Sequence, residues 1–439
     1  MSVFFYNIFL VLLKVGIRIA SLLNNKAKKW VKGRKNVFEN LEKVIPQNES
    51  IIWIHCASLG EFEQGRPLIE RLNAEGSTLN AQGSRHKILL TFFSPSGYEV
   101  QKNYKGADWV FYLPVDGPRN AKRFLEIVKP SLVIFVKYEF WYYYLKKIKY
   151  RNIPLLLVSA LFRRDMSFFK WYGGLQRKML SRFDHLFVQN EESKKLIDEI
   201  GLAQICSVSG DTRFDRVIEI ARKFEPIPII EKFIENNKTI IAGSTWKEDE
   251  EVLQKAFLSV NDPSLKLIIA PHEITESHLT DLKKLFPESV LFSQLTTSVP
   301  THDSRLTTSD SPFPTRPVLI IDNIGMLSRL YNYAYITYVG GGLKSSGVHN
   351  VLEAAVYNKP VFIGPYYEKY MEAVGLVKNG GAIVVKDELD LIKGITGLLA
   401  NADGSYDKAC HAAKTFVWKN KGATEKIIQF IQEKRLLTS

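Results

Sequence analysis

Residues 51–67 read IIWIHCASLGEFEQGRP, and this stretch decides the fold because an apolar run turns there into a helical pattern. The run IIWI is short and rich in β-branched residues, which indicates a buried strand. The segment Phe62–Asn73 then has the apolar spacing of an amphipathic helix. A strand that leads into a helix begins a βα unit, the building block of a parallel sheet. The turn also places Glu61 at the junction, either as a helix-capping acid or as a catalytic base.

The same alternation of short apolar runs and amphipathic segments continues along the chain. In the first half the predicted strands are Ser50–Ala57, Lys87–Phe93, Trp109–Pro114, Ser131–Lys137, Pro154–Ala160, His185–Gln189 and Ile205–Ser209. A second series has predicted strands at Thr239–Gly243, Lys266–Ala270, Val318–Ile321, Ile336–Gly340 and Pro360–Gly364. Further helices are predicted at Arg119–Val128, Glu191–Ile200, Lys247–Phe257, Asn350–Tyr357 and Ala423–Leu436. The sequence therefore predicts an α/β protein with two Rossmann-like, doubly wound domains.

The length of 439 residues supports two domains, because one hydrophobic core stops growing at roughly 250–300 residues. Proline and charge cluster at Phe224–Pro228, which predicts a hinge. The run between Ser293 and Pro317 is polar and Pro-rich, which predicts an exposed loop. We predict these parts: an anchor helix at 1–25, domains at 26–228 and 229–422, and a C-terminal helix at 423–439.

The composition indicates a polyanionic partner. The chain has 59 basic and 46 acidic residues, a net charge of +13, which suits nucleic acid or an anionic membrane. Three cysteines lie far apart without a CxxC motif, which argues against a disulfide framework and fits a reducing compartment. The eight histidines form no HExxH or similar ligand pair, so we predict no tightly bound metal.

The N-terminal segment favours the membrane over nucleic acid. Val3–Leu23 is apolar over 21 residues, which as a helix would measure roughly 30 Å, the thickness of a bilayer core. The following twelve residues, NNKAKKWVKGRK, contain six basic residues and no acid, a bias typical of a cytoplasmic flank. Four polar residues fall near one face, so the helix either crosses the membrane or lies in its interface; they are Asn7, Lys14, Arg18 and Ser21. A core helix with two snorkelling cations is the alternative.

Several motifs of the second domain follow predicted strands. The segment Gly243–Glu248 (GSTWKE) places Ser244 and Thr245 at the start of a helix. There they can cap the helix, bind a phosphate, or do both. Thr245 and Glu248 have the spacing of a capping box. Gly340–Glu353 (GGGLKSSGVHNVLE) is a Gly-rich turn into a helix, typical either of a tight turn or of close approach to a ligand. Neither stretch is a GxGxxG motif or a P-loop, which argues against dinucleotide or ATP chemistry.

Two carboxylates follow strands of the first domain. Glu61 comes after the strand that ends near Ala57, and Glu139 lies in VKYEFW together with Lys137. A helix N-terminus lowers the pKa of such an acid, whereas burial raises it. The sequence alone leaves open which effect dominates, so capping and catalysis stay open for Glu61.

In these motifs the chain resembles the 3-deoxy-D-manno-octulosonic acid (Kdo) transferases of Gram-negative bacteria. The resemblance covers nearly the whole chain in family order. Four matches carry it: Ala57–Phe62 with Arg66 and Pro67, Val136–Trp141, Gly243–Thr245, and Val339–Gly342 with His349–Glu353.

The resemblance implies a GT-B fold, in which two Rossmann-like domains face a central cleft. It implies transfer of Kdo from CMP-Kdo to a lipid A precursor (lipid IVA) on the cytoplasmic face of the inner membrane. The implied reaction inverts the anomeric configuration and needs neither a metal nor a cofactor. Glu61 matches the catalytic base. The expected acceptor and Kdo site comprises Ser58, Gly60, Arg66, Lys137 and Glu139. The expected CMP site comprises Ser244, Thr245, Pro271, His272, Ile324, Gly325, Met326, His349, Asn350, Val351, Leu352 and Glu353.

Two positions depart from the family pattern. The family reads Pro-Arg-His where this chain has Pro271-His272-Glu273, so a fixed cation is replaced by an imidazole, which with its usual pKa of about 6.5 is mostly neutral at pH 7. The family's Met-Gly-Glu appears here as Ile324-Gly325-Met326, so a polar contact becomes an apolar or backbone one. Both changes affect nucleotide binding more than the reaction.

The expected partners are CMP-Kdo, the lipid acceptor and the anionic inner-membrane surface, but no nucleic acid. Two alternatives differ in class. One is another GT-B enzyme that acts on a UDP-linked hexosamine, as a transferase or an epimerase. The other is a membrane-bound anion-binding scaffold without activity, which leaves Glu61 and the Gly-rich turn unexplained.

Overall fold

A computed structural model describes residues 2–75, 86–297 and 317–437, with only the backbone of Glu75 and Thr297. The chain divides into two compact units, Met1–Arg216 with Lys421–Ser439, and Val217–Asn420. The unit boundary thus lies twelve residues before the predicted 228/229 boundary. The C-terminal helix also returns to the first unit, since Asp215 accepts hydrogen bonds from the N–H groups of Gly422 (2.6 Å) and Thr424 (2.7 Å).

Each unit contains one parallel sheet of seven strands among its described residues. The first sheet has the order β3-β2-β1-β4-β5-β6-β7 and the second the order β10-β11-β9-β8-β12-β13-β14. The strands are β1 (Ile51–Cys56), β2 (Lys87–Phe92), β3 (Trp109–Tyr112), β4 (Pro130–Val136), β5 (Leu155–Ala160), β6 (His185–Val188), β7 (Cys206–Val208), β8 (Thr239–Thr245), β9 (Lys266–Pro271), β10 (Val290–Leu291), β11 (Val318–Ile320), β12 (Ile336–Val339), β13 (Val361–Ile363) and β14 (Ala382–Val384). All the predicted strands are confirmed with small shifts at their ends, whereas β10 and β14 were not predicted.

Helices cover the faces of both sheets. They are α1 (Val3–Leu23), α2 (Asn25–Gly33), α3 (Val37–Val44), α4 (Leu59–Glu75), α5 (Pro95–Gln101), α6 (Pro118–Val128), α7 (Tyr142–Tyr150), α8 (Gly174–Leu180), α9 (Glu191–Asp198), α10 (Thr212–Arg222), α11 (Pro228–Ile234), α12 (Lys247–Ser259), α13 (Glu276–Leu285), α14 (Phe292–Thr297), α15 (Leu327–Leu330), α16 (Leu352–Ala355), α17 (Met371–Lys378), α18 (Glu388–Ala400), α19 (Ser405–Lys419) and α20 (Ala423–Glu433). The two predicted Rossmann-like domains are therefore confirmed.

The first sheet is buried on both faces, as parallel sheets are. Alternate residues of β1 enter two different cores, with Trp53 on one side and Ile54 on the other. Trp53 is fully buried, and its ring lies 4.7 Å from that of Phe124 and 5.3 Å from that of Phe135. This packing fixes β1, and so the point at which the chain leaves the sheet toward Glu61.

Two predicted elements differ in the structure. Helix α14 occupies the beginning of the segment predicted as a loop, and residues 298–316 of that segment lie outside the described residues. The helix forms because Asp322 accepts hydrogen bonds from the N–H (2.9 Å) and the hydroxyl (2.5 Å) of Ser293. The helix predicted at 350–357 is reduced to the four residues of α16.

Helix α1 packs against the first unit along one face. Tyr6 and Leu10 are buried in its core, and Ile17 packs against the same core. The opposite face is apolar and open, with Leu12 63% and Ile19 61% exposed. In the described part of the chain, α1 is the one helix long and apolar enough to cross a membrane.

Asp116 joins α1 to α7. It accepts hydrogen bonds from the Tyr6 hydroxyl (2.6 Å) and from the N–H groups of Tyr143 (2.9 Å) and Tyr144 (3.1 Å). Burial raises the pKa of the Asp116 carboxyl, although these three bonds favour the anion.

Asp116→Ala is expected to lower the free energy of unfolding by about 2–4 kcal/mol, because it leaves three buried donors without an acceptor. Urea denaturation in detergent, followed by circular dichroism, measures this loss. The matched control is Asp165→Ala, since Asp165 is an exposed residue that pairs with Arg163 on the surface. Equal losses in the two variants would contradict the role of Asp116.

Candidate active site

Both sheets have a topological switch point, where the chain order reverses and a crevice opens at the carboxyl ends of the strands. In the first unit it lies between β1 and β4, and in the second between β8 and β12. Glu61 follows β1 and Glu139 follows β4. Ser244 and Thr245 are the last two residues of β8, and Gly340 follows β12. The predicted motifs therefore stand at the two places where open α/β sheets bind ligands.

The Glu61 carboxylate closes the N-terminus of α4. Its Oε2 accepts hydrogen bonds from the N–H groups of Ala57 (2.5 Å) and Ser58 (3.1 Å). Ser58 is the N-cap residue, because its carbonyl accepts the N–H of Phe62 (3.0 Å). Glu61 is then the third helical residue, the position of the acid in a capping box. The capping role left open by the sequence is thus present in the structure.

Although Glu61 caps α4, the pKa of its carboxyl is raised, which makes it a stronger base than an ordinary carboxylate. Burial raises the pKa of the Glu61 carboxyl from its ordinary 4.5 to about 7, and the negative charge of Glu139 adds to this effect. The two N–H bonds and the charge of Lys137 oppose the rise without cancelling it. A carboxylate that is half-protonated near neutral pH is well matched to general base catalysis. The sequence left open whether burial or the helix N-terminus has the larger effect on the pKa of Glu61; in the structure burial has the larger effect.

Glu139 is held in place by two ring N–H groups. Its Oε2 lies 2.8 Å from His55 Nε2, and Trp141 Nε1–H donates to the same oxygen at 2.6 Å. His55 is fully buried in β1, and its Nδ1 lies 2.8 Å from the Thr91 hydroxyl. Lys137 sits at the end of β4 with φ of +67°, a backbone conformation that is uncommon for a non-glycine residue.

His55 and Trp141 were not predicted as site residues from the sequence. The available signal was the polar His55 inside the apolar strand IIWIHC, since a buried polar group needs a hydrogen-bond partner.

The other predicted residues of this site differ in their surroundings. Arg66 Nε–H donates to Glu70 Oε1 at 2.7 Å, one helical turn away, whereas Gly60 is exposed at the start of α4.

In the second unit the capping box is shifted by one residue from the prediction. Strand β8 extends to Thr245, so Trp246 is the N-cap and Asp249 accepts its N–H at 2.9 Å. The predicted pair of Thr245 and Glu248 is therefore wrong. The fully buried Thr245 hydroxyl donates instead to Glu250 Oε1 (2.8 Å), and Glu248 pairs with Lys344 (2.8 Å).

The glycines of the GGG turn bring segments of backbone together. A Cβ at Gly340 would lie 2.4 Å from the Ser244 carbonyl oxygen, and one at Gly342 would lie 2.7 Å from the N atom of Gly364. Gly341 has φ of +87°, and its N–H donates to Asp249 Oδ2 at 2.9 Å. Glycine is thus required here by the packing of the turn itself.

Three aromatic rings lie nearly parallel at the carboxyl edge of the second sheet. The His272 ring centre lies 4.7 Å from that of Trp246 and 4.3 Å from that of His349. Trp246 Nε1–H donates to His349 Nε2 at 3.0 Å. Burial lowers the pKa of His349 to about 4, helped by the nearby His272, and burial also lowers the pKa of His272. Both imidazoles are therefore neutral at pH 7.

Lys344 is a cation at this edge that was not selected from the sequence. Its Nζ lies 4.8 Å from the centre of the Trp246 ring and 2.8 Å from Glu248. Trp246 was missed as well, although it directly follows Gly243-Ser244-Thr245. Lys344 stands in the GGGLKSSG segment, where a basic residue in a Gly-rich turn was the available signal.

The remaining predicted residues lie near this edge or beneath it. Pro271 ends β9, next to His272, and Gly325 and Met326 lie between β11 and α15, with the side chain of Ile324 92% exposed. Asn350 Nδ2 donates to Glu353 Oε1 at 2.9 Å. The side chains of Val351 and Leu352 are fully buried, so only their backbone is available. Among the described residues, no group of three or more His, Cys, Asp or Glu side chains is placed to hold a metal ion.

The chain is similar in sequence to known Kdo transferases. The profile of the family described as 3-deoxy-D-manno-octulosonic-acid transferase (kdotransferase) matches residues 31–216. A 3-deoxy-D-manno-octulosonic acid transferase of Aquifex aeolicus is 30% identical over 373 residues, which is 83% of this chain and 91% of the relative. That of Haemophilus influenzae is 26% identical over 392 residues, covering 87% and 86%.

The fold is similar to that of a solved glycosyltransferase structure. The crystal structure of a glycosyltransferase from Rickettsia africae has a TM-score of 0.54 and 16% sequence identity, with 89% of this chain and 100% of that chain covered. At this identity the likeness concerns the fold alone. It agrees with the GT-B architecture expected from the sequence.

Proposed function

Because the chain belongs to the Kdo transferase family, we propose that it transfers Kdo from CMP-Kdo to lipid IVA, a lipid A precursor, with Glu61 as the general base. The chain is a glycosyltransferase; the donor, the acceptor and the base are the proposal. The observation that supports it best is the Glu61 carboxylate at the switch point of the first sheet, with a pKa raised to about 7.

The proposed reaction is a direct displacement at the anomeric carbon of Kdo. Glu61 accepts the proton of the acceptor hydroxyl as its oxygen forms the new C–O bond. The bond to the CMP phosphate breaks on the opposite face, so the configuration inverts and CMP leaves with the electron pair. The raised pKa of Glu61 makes it a stronger base than an ordinary carboxylate. No metal or cofactor enters this proposal.

The rest of the acceptor and Kdo site surrounds this base. Ser58 and Gly60 belong to the turn that holds Glu61, while Lys137 and Glu139 follow β4. In our proposal Lys137 contributes positive charge for the Kdo carboxylate or an acceptor phosphate. Arg66 is proposed to bind phosphates of the acceptor while its Nε–H continues to donate a hydrogen bond to Glu70.

The CMP group is proposed to bind at the carboxyl edge of the second sheet. The Trp246, His272 and His349 rings suit stacking with a nucleobase. Because His272 is neutral at pH 7, Lys344 supplies the positive charge that the family's arginine provides elsewhere. Asn350 and Glu353 are proposed to bind the ribose hydroxyls, with Ile324 as an exposed apolar contact.

The proposed location is the cytoplasmic face of an inner membrane. Helix α1 is held along the first unit by Tyr6, Leu10 and Ile17. A helix docked in this way supports a position in the membrane interface, with its open apolar face toward the lipid, rather than a perpendicular span. The basic residues after Leu23 favour an anionic surface.

CMP is expected to raise the melting temperature, whereas UDP is not. At a CMP concentration one hundred times the Kd, the stabilisation is about 2.7 kcal/mol, equivalent to roughly 5–10 °C for a unit of about 200 residues. Trp246→Ala should reduce this protection, and Trp171→Ala is the matched control because Trp171 is 92% exposed in the first unit. Protection by UDP alone would favour the hexosamine enzyme. A transfer assay with CMP-Kdo and lipid IVA, read by mass spectrometry, then tests the reaction itself.

A further inference from the structure

A cavity of about 510 Å³ lies beside the N-terminal helices of the first unit, away from Glu61. This volume falls in the range of about 300–1,000 Å³ typical of small-ligand sites. Its walls come from α1, α2, α3 and the segment after β3 that contains Pro114, Val115 and Asn120. We call it the basic pocket, after the five cations in its lining: Lys14, Arg18, Lys32, Arg34 and Lys35.

Carboxylates of the described residues do not neutralise the positive charge of the basic pocket. Its lining contains one carboxylate, Glu39, and that group pairs with Arg123 at 3.4 Å. Within residues 2–75, 86–297 and 317–437, none of the five cations forms an ion pair with a carboxylate. Like charges gathered around one cavity repel each other, so an anion in the cavity would be stabilising.

Arg34 is the fixed cation of the basic pocket. Its guanidinium donates to three backbone carbonyls, those of Leu113 (2.9 Å), Phe93 (2.7 Å) and Trp30 (3.2 Å). It also stacks on Trp30, 3.8 Å from the ring centre. Burial lowers the pKa of Arg34 to about 9, so it is still a cation at neutral pH. A guanidinium has five N–H donors, and two are left for a ligand.

The position of α1 identifies the source of the anion. Val11, Val15 and Leu22 share one exposed apolar face of this helix. Lys14 and Arg18, one turn apart, lie between that face and the face buried against the first unit. When the apolar face enters a membrane interface, the opening of the basic pocket lies at the level of the lipid headgroups.

We infer that the basic pocket binds the phosphate of an anionic membrane lipid and so fixes the first unit on the membrane surface. Arg18 and the three lysines provide mobile phosphate contacts, while Arg34 provides a preorganised one. This inference extends the membrane location proposed above and does not involve the donor, the acceptor or Glu61. In the basic segment after Leu23, Lys32, Arg34 and Lys35 line the basic pocket, whereas Lys28 and Lys29 do not.

Lys32→Gln with Lys35→Gln is expected to weaken binding to vesicles of phosphatidylglycerol in phosphatidylcholine by about thirtyfold, equivalent to about 1 kcal/mol for each lost contact between a lysine and a lipid phosphate. Binding is measured by vesicle co-sedimentation of the full chain without donor or acceptor. The matched control is Lys28→Gln with Lys29→Gln, which removes the same charge from exposed positions outside the pocket. We expect this control to lose less than threefold.

Three outcomes would overturn the inference. Equal losses in the two double variants would mean diffuse attraction rather than a pocket. Equal binding of the wild type to pure phosphatidylcholine would mean that the lipid anion is not recognised. Displacement from the vesicles by millimolar inorganic phosphate at constant ionic strength would identify free phosphate as the ligand. Because no transfer is measured, none of these results bears on the proposed reaction.

Discussion

Glu61→Gln is expected to lower kcat for Kdo transfer by about 10²–10⁴-fold, because an amide cannot accept the proton of the acceptor hydroxyl. The change is nearly isosteric, and glutamine serves as well as glutamate at the third position of a capping box. The amide oxygen can still accept the N–H groups of Ala57 and Ser58, so the start of α4 is retained. Product formation from CMP-Kdo and lipid IVA, measured by mass spectrometry, gives the rate.

The matched control for this variant is Glu63→Gln. Glu63 lies on the same helix and pairs with Arg216 at 3.7 Å, so the control removes an equal charge nearby. We expect the control to retain kcat within about threefold. A Glu61→Gln enzyme with the activity of the control would rule out the proposed base.

Glu61→Gln should also change the pH dependence of stability, and the direction of this change follows from the pKa of Glu61. The folded-state pKa of Glu61 is about 7, above its ordinary 4.5, so the folded chain binds the proton more tightly than the unfolded chain. The stabilisation from this proton is present below pH 4.5 and is lost as the pH rises through 7. Glu61→Gln lacks this loss, so its melting temperature relative to the wild type should rise between pH 5 and 8. A difference in the opposite direction would contradict the buried position of the carboxylate.

Most of the fold could be predicted from the sequence because parallel strands are marked by short apolar runs. Strand β1 is an example, since IIWI is buried on both faces and is followed at once by a helical pattern. Helix α14 could not be predicted in this way. Its second residue, Ser293, is held by Asp322, a contact across 29 positions of the chain that no local pattern contains.

The candidate sites show the same division between local and long-range information. Glu61 and Glu139 could be selected because each follows a strand at one edge of the sheet. Their electrostatic coupling, and the clamp that His55 forms on Glu139, depend on the order of β1 and β4 in the sheet. The same holds for Trp246 and His349, which are 103 positions apart and joined by one hydrogen bond.

Glu139→Gln is expected to move the acidic limb of the kcat/KM profile to lower pH. The rate should depend on the ionised form of Glu61, so in the wild type it rises with pH and levels off above about 7. Burial is the largest cause of the raised pKa of Glu61, and the charge of Glu139 is the next. Removing that charge leaves burial in place, so the midpoint should fall toward 4.5 without reaching it.

The same substitution should also lower the rate at the plateau, because a carboxylate with a lower pKa is a weaker base. We expect a decrease of about 3- to 10-fold at pH 8, following the usual dependence of proton transfer on base strength. A purely structural role for Glu139 would lower the plateau but leave the midpoint unchanged, so the pH profile separates the two explanations. Glu63→Gln is again the matched control, since it removes one nearby charge that is not among the main causes of the raised pKa of Glu61. A midpoint that moves equally in both variants would mean that general charge, and not the contact between β1 and β4, sets the strength of the base.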